Sequence, residues 1–530
     1  MIGPPLGVWA GAALTLALGW QTGAAVSALG AVSMLALAAL AVRFPALHAR
    51  LPRWCLVTLA LLAVSAAVAA EREHARADHP LSQLARGALI GAPEHGGLLV
   101  TVWTTDDPRP IRGNRVLIPG ELRSPWTGAS VVVLAPRGAY ENLAPWQSVT
   151  FAAKASPPRR HDLTAASLSA VGPPQAVGPA SWAATTTGGL RRRFVVLCER
   201  TLPEDESMVL PAVVFGDTSR ISGKLKDEFR NAGLTHLMVV SGANFAIVLG
   251  AVLLLLRVLG AGPRLASVVA FAVLIGLVLL VRPSPSVLRA AVMGALALFA
   301  LYAGRRAQPA HALGLAVVVL LLFDPALALD YGFVLSVLAT GALVRLAPRW
   351  QKMLAARGAP PALAGMLAAA AAAHMATAPV VAMLTGEVSL VGLIANVLVE
   401  PVIGLVTVLG CSGAAAAVLW EPAGELIVRF AGVPMTWLVM VARSGAACPF
   451  GVVRTGSGGA GFLMTAAALL VLAGVLWLLT RGAGPLEGAL PHGVSIIHHR
   501  RAGSGRPDLR RIVHPAQPAA RPRSWRGHDP

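Results

Sequence analysis

The chain has 530 residues, of which 55% are hydrophobic and only 13% charged, with a mean hydropathy of +0.67. A soluble domain carries about 25% charged residues, so a soluble globular fold is excluded, because it would have too little polar surface to show to water. The formal net charge of +19 would point to nucleic acid in a soluble protein, but in a membrane protein it first marks Arg and Lys in cytoplasmic loops.

Apolar runs near the length of about 20 residues that crosses a bilayer fall at 6–20, 22–42, 52–70, 234–257, 264–281, 287–303, 307–323, 331–347, 361–384, 388–400, 402–420, 427–442 and 459–480. Gly and Pro interrupt several of them, and the pattern predicts about 10–13 transmembrane helices. Helices are expected because backbone groups in lipid must bond within their own segment. The period-two alternation of a membrane barrel is absent. The first run lacks a basic flank and a second follows at once, so it reads as a membrane helix and not as a cleaved signal. Arg43, Arg50 and Arg53, then Arg257 and Arg264, then Arg305 and Arg306, then Arg345, Arg349, Lys352 and Arg357 recur after alternate runs. The opposite connections, Pro283–Ser286 and Asp324–Asp330, carry few cations. This asymmetry places the polar stretch 71–230 outside the cytoplasm.

Within that stretch, Leu98–Trp103, Arg115–Ile118, Val131–Leu134 and Ser148–Ala152 are β-like and separated by Gly and Pro turns, as in a small barrel or sandwich. Trp103, Trp126 and Trp146 are expected in its core. Arg109, Arg112, Arg115 and Arg123 are expected on its surface. Residues 188–230 mix Arg191, Arg192, Arg193, Glu204, Asp205, Glu206, Lys224 and Lys226 with apolar positions and are expected to form amphipathic helices at the membrane surface. Cys55, Cys198, Cys411 and Cys448 suggest no disulfide framework. From about 482 onward the chain is rich in Pro, Gly, Arg and His and is expected to be disordered.

Polar residues inside membrane helices are costly and usually face a bundle interior or a wet path. Four groups stand out. Gly233–Phe245 (GLTHLMVVSGANF) holds His236, Ser241 and Asn244, with Gly242 open to a close approach. Pro283–Met293 (PSPSVLRAAVM) breaks the backbone twice before Arg289, which either meets an anion through its guanidinium fork or snorkels to the interface. Asp324–Gly341 (DPALALDYGFVLSVLATG) places Ser336 and Thr340 on one face and Asp330 as a cap for the following helix. The last group joins His374–Pro379 to Gly386–Pro401, where Ser389, Asn396 and Glu400 form one polar stripe on a helix. For the hydroxyl and amide residues, helix packing through interhelical hydrogen bonds is the competing reading.

A nucleotide-binding P-loop is missing from the sequence. His492, His498 and His499 lack carboxylates at metal-ligand spacing. Neither a cofactor nor a metal is expected. Ser241 could serve an intramembrane hydrolase only with His236 or His374 as base. His236 lies about 140° around a helix from Ser241, so only His374, brought in by the fold, remains.

Taken in order, these groups resemble the ComEC family of competence proteins. The Gly-Leu-x-His-Leu-x-x-x-Ser-Gly run at Gly233–Gly242, Phe215–Ser219 (FGDTS), Ser286–Met293, Asp324–Gly341 and the Ser-Leu-x-Gly-Leu-x-Ala-Asn run at Ser389–Asn396 carry the likeness. It implies a polytopic α-helical membrane protein with a small extracytoplasmic β-rich, OB-like insertion. The implied organisation is N-terminal helices at 1–70, the OB-like domain at 71–187, interfacial helices at 188–232, a channel core at 233–481 and a basic tail at 482–530. It implies a channel for single-stranded DNA across the bacterial inner membrane during natural transformation, not an enzyme. His236, Ser241, Asn244, Arg289, Ser336, Thr340, Ser389, Asn396 and Glu400 would line or shape the path. The implied partners are single-stranded DNA, membrane lipids, a DNA-receptor protein, a separate nuclease and a cytoplasmic helicase or ATPase, with a homo-oligomer allowed. Longer relatives carry a metallo-β-lactamase-like domain with a His-x-His-x-Asp-His motif. That motif is missing here, so metal-dependent cutting of DNA is expected from another protein. A transporter of another anionic polymer or a lipid-linked substrate, and an intramembrane hydrolase, are the alternative readings.

Overall fold

A computed structural model describes residues 3–43, 53–87, 97–111, 113–158 and 163–482. Arg50, Arg112 and the tail after 482, for which expectations were stated above, lie outside the described residues.

The chain opens with α1 (Gly3–Leu18), α2 (Trp20–Arg43) and α3 (Arg53–Asp78). Small residues let α1 and α3 touch: a Cβ on Gly11 would come within 2.5 Å of the Leu62 carbonyl. A short α4 (Pro80–Ala85) leads into the insertion.

The insertion contains β1 (Leu98–Thr104), β2 (Arg109–Ile111), β3 (Arg115–Ser124), β4 (Ser130–Pro136), α5 (Arg137–Tyr140), β5 (Ser148–Ser156), β6 (Thr164–Ala170) and β7 (Ala176–Val177). Pairing runs β1-β3-β4-β6-β5 and returns from β5 to β1, so five strands close a barrel. All neighbours are antiparallel except β4 and β6, and this order is that of an OB-type barrel. Closure follows from alternation: β3 and β4 bury every second residue, Val116, Ile118 and Leu122 facing Val131 and Val133. The Ala- and Ser-rich β6 was not read from the sequence, because it lacks the β-branched and aromatic residues that mark strands.

Next come α6 (Trp182–Thr201), α7 (Glu204–Phe215) and α8 (Gly223–Asn231). Amphipathicity holds for α8, which buries Leu225 and Phe229 one turn apart. It fails for α7. Nine of its twelve residues are buried, because α7 sits in the core shared with α6, α16 and α17 and not on a membrane surface.

The membrane helices are α9 (Gly242–Val258), α10 (Pro263–Val281), α11 (Pro285–Tyr302), α12 (Pro309–Phe323), α13 (Tyr331–Arg345), α14 (Ala347–Ala356), α15 (Pro361–Thr385), α16 (Val391–Leu419), α17 (Glu421–Ala446) and α18 (Gly458–Gly482). Among the described residues seven helical spans are long and apolar enough to cross a membrane, and α1, α9, α12 and part of α18 are shorter apolar helices. Two boundaries differ from expectation. The segment from 234 is not helical until Gly242, since a 3-10 turn (Thr235–Leu237) and the Ser241 cap come first. The runs 388–400 and 402–420 form one helix, α16, that carries Pro401 inside it. The helix continues through the proline, as membrane helices tolerate where the freed carbonyl can be satisfied locally.

Short connections make successive helices antiparallel. The starts of α9, α11 and α13 meet at one end of the bundle, where Arg289 lies against Gly242 and bonds Ser336, and the segment leading into α9 crosses the start of α16 at Gly233 and Gly392. The barrel meets that same end, through an ion pair between Asp107 and Arg282.

Candidate substrate path at the barrel end of the bundle

Helix caps build the first side of the site. Ser241 caps α9: its Oγ accepts from the Asn244 N–H at 3.3 Å and donates to Asn244 Oδ1 at 2.9 Å. Asn244 Nδ2 in turn donates to the Val213 carbonyl at 3.0 Å, tying α9 to the end of α7. Ser284 caps α11 and Asp330 caps α13, the latter accepting from the Phe333 N–H at 2.8 Å, as expected.

Arg289 lies just inside α11 and is only 4% exposed. It does not snorkel. Its Nε donates to Ser336 Oγ on α13 at 2.8 Å, and one terminal nitrogen reaches Met293 Sδ at 3.3 Å. The other terminal nitrogen lies against Gly242, where a Cβ would come within 2.7 Å of it. Among the described residues it makes no ion pair with a carboxylate. Thr340 spends its hydroxyl on the Ser336 carbonyl at 2.9 Å, within its own helix.

The second side forms where the 233–241 segment crosses the start of α16. Gly233 has φ +70°, and a Cβ there would lie 2.8 Å from Gly392 Cα, so both the left-handed backbone and the contact require glycine. His374 Cε1 approaches the same junction, 3.4 Å from a Cβ built on Gly392. Ser389 does not share a helical stripe with Asn396 and Glu400. It lies in β8 (Glu387–Ser389), which pairs with β9 (Val452–Arg454), and its Oγ donates to the Asn231 carbonyl at 2.8 Å. Asn396 donates to the Gly392 carbonyl at 2.6 Å, and Glu400 is exposed one turn further along α16.

His236, in the turn before α9, keeps solvent-accessible area. Yet protein surrounds it densely enough that desolvation pushes its pKa down to about 4, with His374 pushing the same way against a hydrogen bond to the Gly233 backbone. The ring is therefore neutral at pH 7.

The nine residues singled out in the sequence thus divide. Ser241, Asn244, Thr340, Ser389 and Asn396 have their side chains committed to caps and ties. Ser336 holds Arg289. His236 and Glu400 are exposed, and Arg289 is buried with its charge unpaired by any carboxylate among the described residues. Because the Ser241 proton points to an amide oxygen, which cannot act as a base, the arrangement does not prepare a serine nucleophile. A separate polar group, Asp107, Thr187, Arg191 and Arg282, was not read from the sequence as a group, Arg191 being placed only on an amphipathic helix. Its one sequence signal is an arginine set directly before the Pro283 break.

In the barrel, Trp103 is not a core residue. It stands on the outer face with the Arg123 guanidinium 4.4 Å from its ring centroid. Trp126 does pack against the barrel core, as expected.

The description "Competence protein" belongs to the family that matches residues 213–480, about half of the chain. The chain is a member of the competence protein family. The family's stretch begins inside α7 and takes in every membrane helix from α9 onward, so it contains both sides of the site. Over 169 residues the chain is 28% identical to ComE operon protein 3 of Bacillus subtilis (strain 168), a stretch that covers 32% of this chain and 22% of that relative. No solved structure matches. This member of the family is a multi-pass membrane protein, and the chain matches less than a quarter of that relative's length.

Proposed function

We propose that the chain is a channel that passes single-stranded DNA across the bacterial inner membrane. The observation that carries this reading is Arg289, a buried cation within the membrane bundle that no carboxylate neutralises among the described residues. An uncompensated charge in such a place is costly. Its cost is offset when a polyanion passes, since each phosphate meets a guanidinium fork in good geometry. The site then favours the passing strand over the empty path. The neutral His236 ring adds a hydrogen-bonding wall without a second fixed charge. The exposed Trp103–Arg123 pair on the barrel offers a stacking surface of the kind single strands use.

This function assigns the chain a transport role and no chemistry of its own. Strand separation, degradation of the other strand and the driving force are work for a separate nuclease and a cytoplasmic helicase or ATPase, with a receptor delivering the duplex. A strain from which the gene is deleted should fail to bring labelled DNA into the cytoplasm while still binding it at the surface. Normal cytoplasmic uptake in that strain refutes the channel.

A further inference from the structure

Where the barrel meets the bundle, one carboxylate holds two buried arginines. Arg282, at the end of α10, donates from Nε to Asp107 Oδ2 at 3.1 Å and from a terminal nitrogen to Asp107 Oδ1 at 3.3 Å. Its remaining nitrogen donates to Thr187 Oγ1 on α6 at 3.2 Å. Arg191, also on α6, donates to the same Asp107 Oδ2 at 3.3 Å, and its other terminal nitrogen lies 3.8 Å from Asp217 Oδ2. Asp217 is anchored elsewhere by Ser219, whose N–H and hydroxyl both donate to its Oδ1.

We propose that Arg282, Arg191 and Thr187 form a phosphodiester site that Asp107 occupies in the empty protein, and that a phosphate of the arriving single strand exchanges with the Asp107 carboxylate. The proposal rests on the channel reading and names the place where the strand first meets the bundle.

The donor set fits. Two guanidinium groups and a hydroxyl converging on two oxygens of one anion is an arrangement that serves a carboxylate or a phosphate equally. The arginines are the fixed half. The Arg282 side chain is 8% exposed and that of Arg191 11%. Arg282 is also held at φ +80° and ψ 146°, a conformation that disfavours any residue with a side chain and persists only where its contacts impose it.

The carboxylate is the removable half. The Asp107 side chain is 36% exposed, and it stands on the short connection between β1 and β2, among the described residues the barrel's only contribution to the cluster. Lifting that connection away with nothing in its place would strand Arg282 and leave Arg191 only its 3.8 Å approach to Asp217. Exchange for another oxyanion does not. Contact with the strand and release of the barrel connection are therefore one event. The sequence then leads directly inward: Arg282 is followed by the break at Pro283 and, on the same segment, by Arg289, which has no carboxylate partner among the described residues.

The test uses the purified full chain in lipid nanodiscs and a fluorescent single-stranded oligonucleotide at fixed salt. Asp107→Asn removes the competing charge and should tighten binding by roughly tenfold, the worth of one charge-assisted contact no longer displaced. Adding Thr187→Val or Arg282→Gln to that variant should cancel the gain. In the wild-type protein, amide hydrogen exchange at residues 105–107 should quicken when the oligonucleotide is added, a readout that needs no variant to fold. If the wild type binds the strand but Asp107→Asn leaves the affinity within about twofold and exchange at 105–107 does not change, the site is refuted and the channel reading stands. If anionic lipid vesicles, and not the oligonucleotide, quicken that exchange, the site belongs to a lipid phosphate and the assignment to the strand is overturned. A wild-type chain that binds no oligonucleotide overturns the site and the channel reading together.

Discussion

Two arginines on one short segment are neutralised in opposite ways. Arg282, at the barrel end of α10, is saturated by the Asp107 carboxylate and the Thr187 hydroxyl. Arg289, seven positions on and inside α11, has a serine hydroxyl and a thioether but no carboxylate among the described residues. Both are buried. A saturated buried ion pair mainly holds structure in place, and breaking it is expensive, whereas an unsaturated buried cation is a strained state that an external anion relieves. The contrast separates a cation that a strand can reach only by displacing a carboxylate from one that no carboxylate occupies among the described residues.

The sharpest way to break that contrast is at Arg289. Arg289→Ala should lower uptake of labelled DNA at least a hundredfold in protein that is inserted at normal levels, while Arg289→Lys, which keeps the charge and loses the fork, should fall about tenfold. Uptake unaffected by Arg289→Ala would make this arginine another structural residue. At Arg282 a stability cost is expected as well. Arg282→Ala leaves Asp107 with Arg191 as its remaining partner and should destabilise the folded chain by less than the roughly 3–5 kcal/mol of a fully orphaned member of a buried pair, read as a lower melting temperature in detergent. Uptake should then fall further than the loss of folded protein accounts for, but less than for Arg289→Ala.

Gly242→Ala sharpens the comparison without touching a charge. Its Cβ would press on the guanidinium, which the Ser336 bond holds in place. Uptake should drop about tenfold with stability within about 1 kcal/mol of the wild type, measured on the same preparation by transformation and by melting. A loss of stability as large as that of Arg282→Ala would show that Gly242 serves packing. The smallest effect belongs to Asp330→Ala, which removes the cap of α13 and should cost about 1 kcal/mol, with uptake unchanged in a transformation assay. A large uptake defect there would extend the path to the 324–330 connection.

Much of the architecture could be read in advance. The membrane helices follow from hydropathy, because a span in lipid must be apolar along its whole length and satisfy its backbone internally. Four barrel strands follow from alternation, and the Asp330 cap from the residue type at a helix start. Each is a local property of the chain, and the family motifs are legible for the same reason. What escaped was relational. Ser389 reads as part of a helix until β9 supplies a partner strand from more than sixty residues away. The 204–215 segment reads as a surface helix until α16 and α17 close over it. Ser241, Asn244 and Asn396 read as path residues until their hydrogen bonds are assigned. Asp107 and Arg282 are 175 positions apart, and no local pattern links them. Composition and period decide what a segment can be. Which buried charge finds a partner, and which is left for a substrate, is decided only when the packed bundle sets the distances, because the Coulomb term and its desolvation cost depend on separation and surroundings and not on residue type.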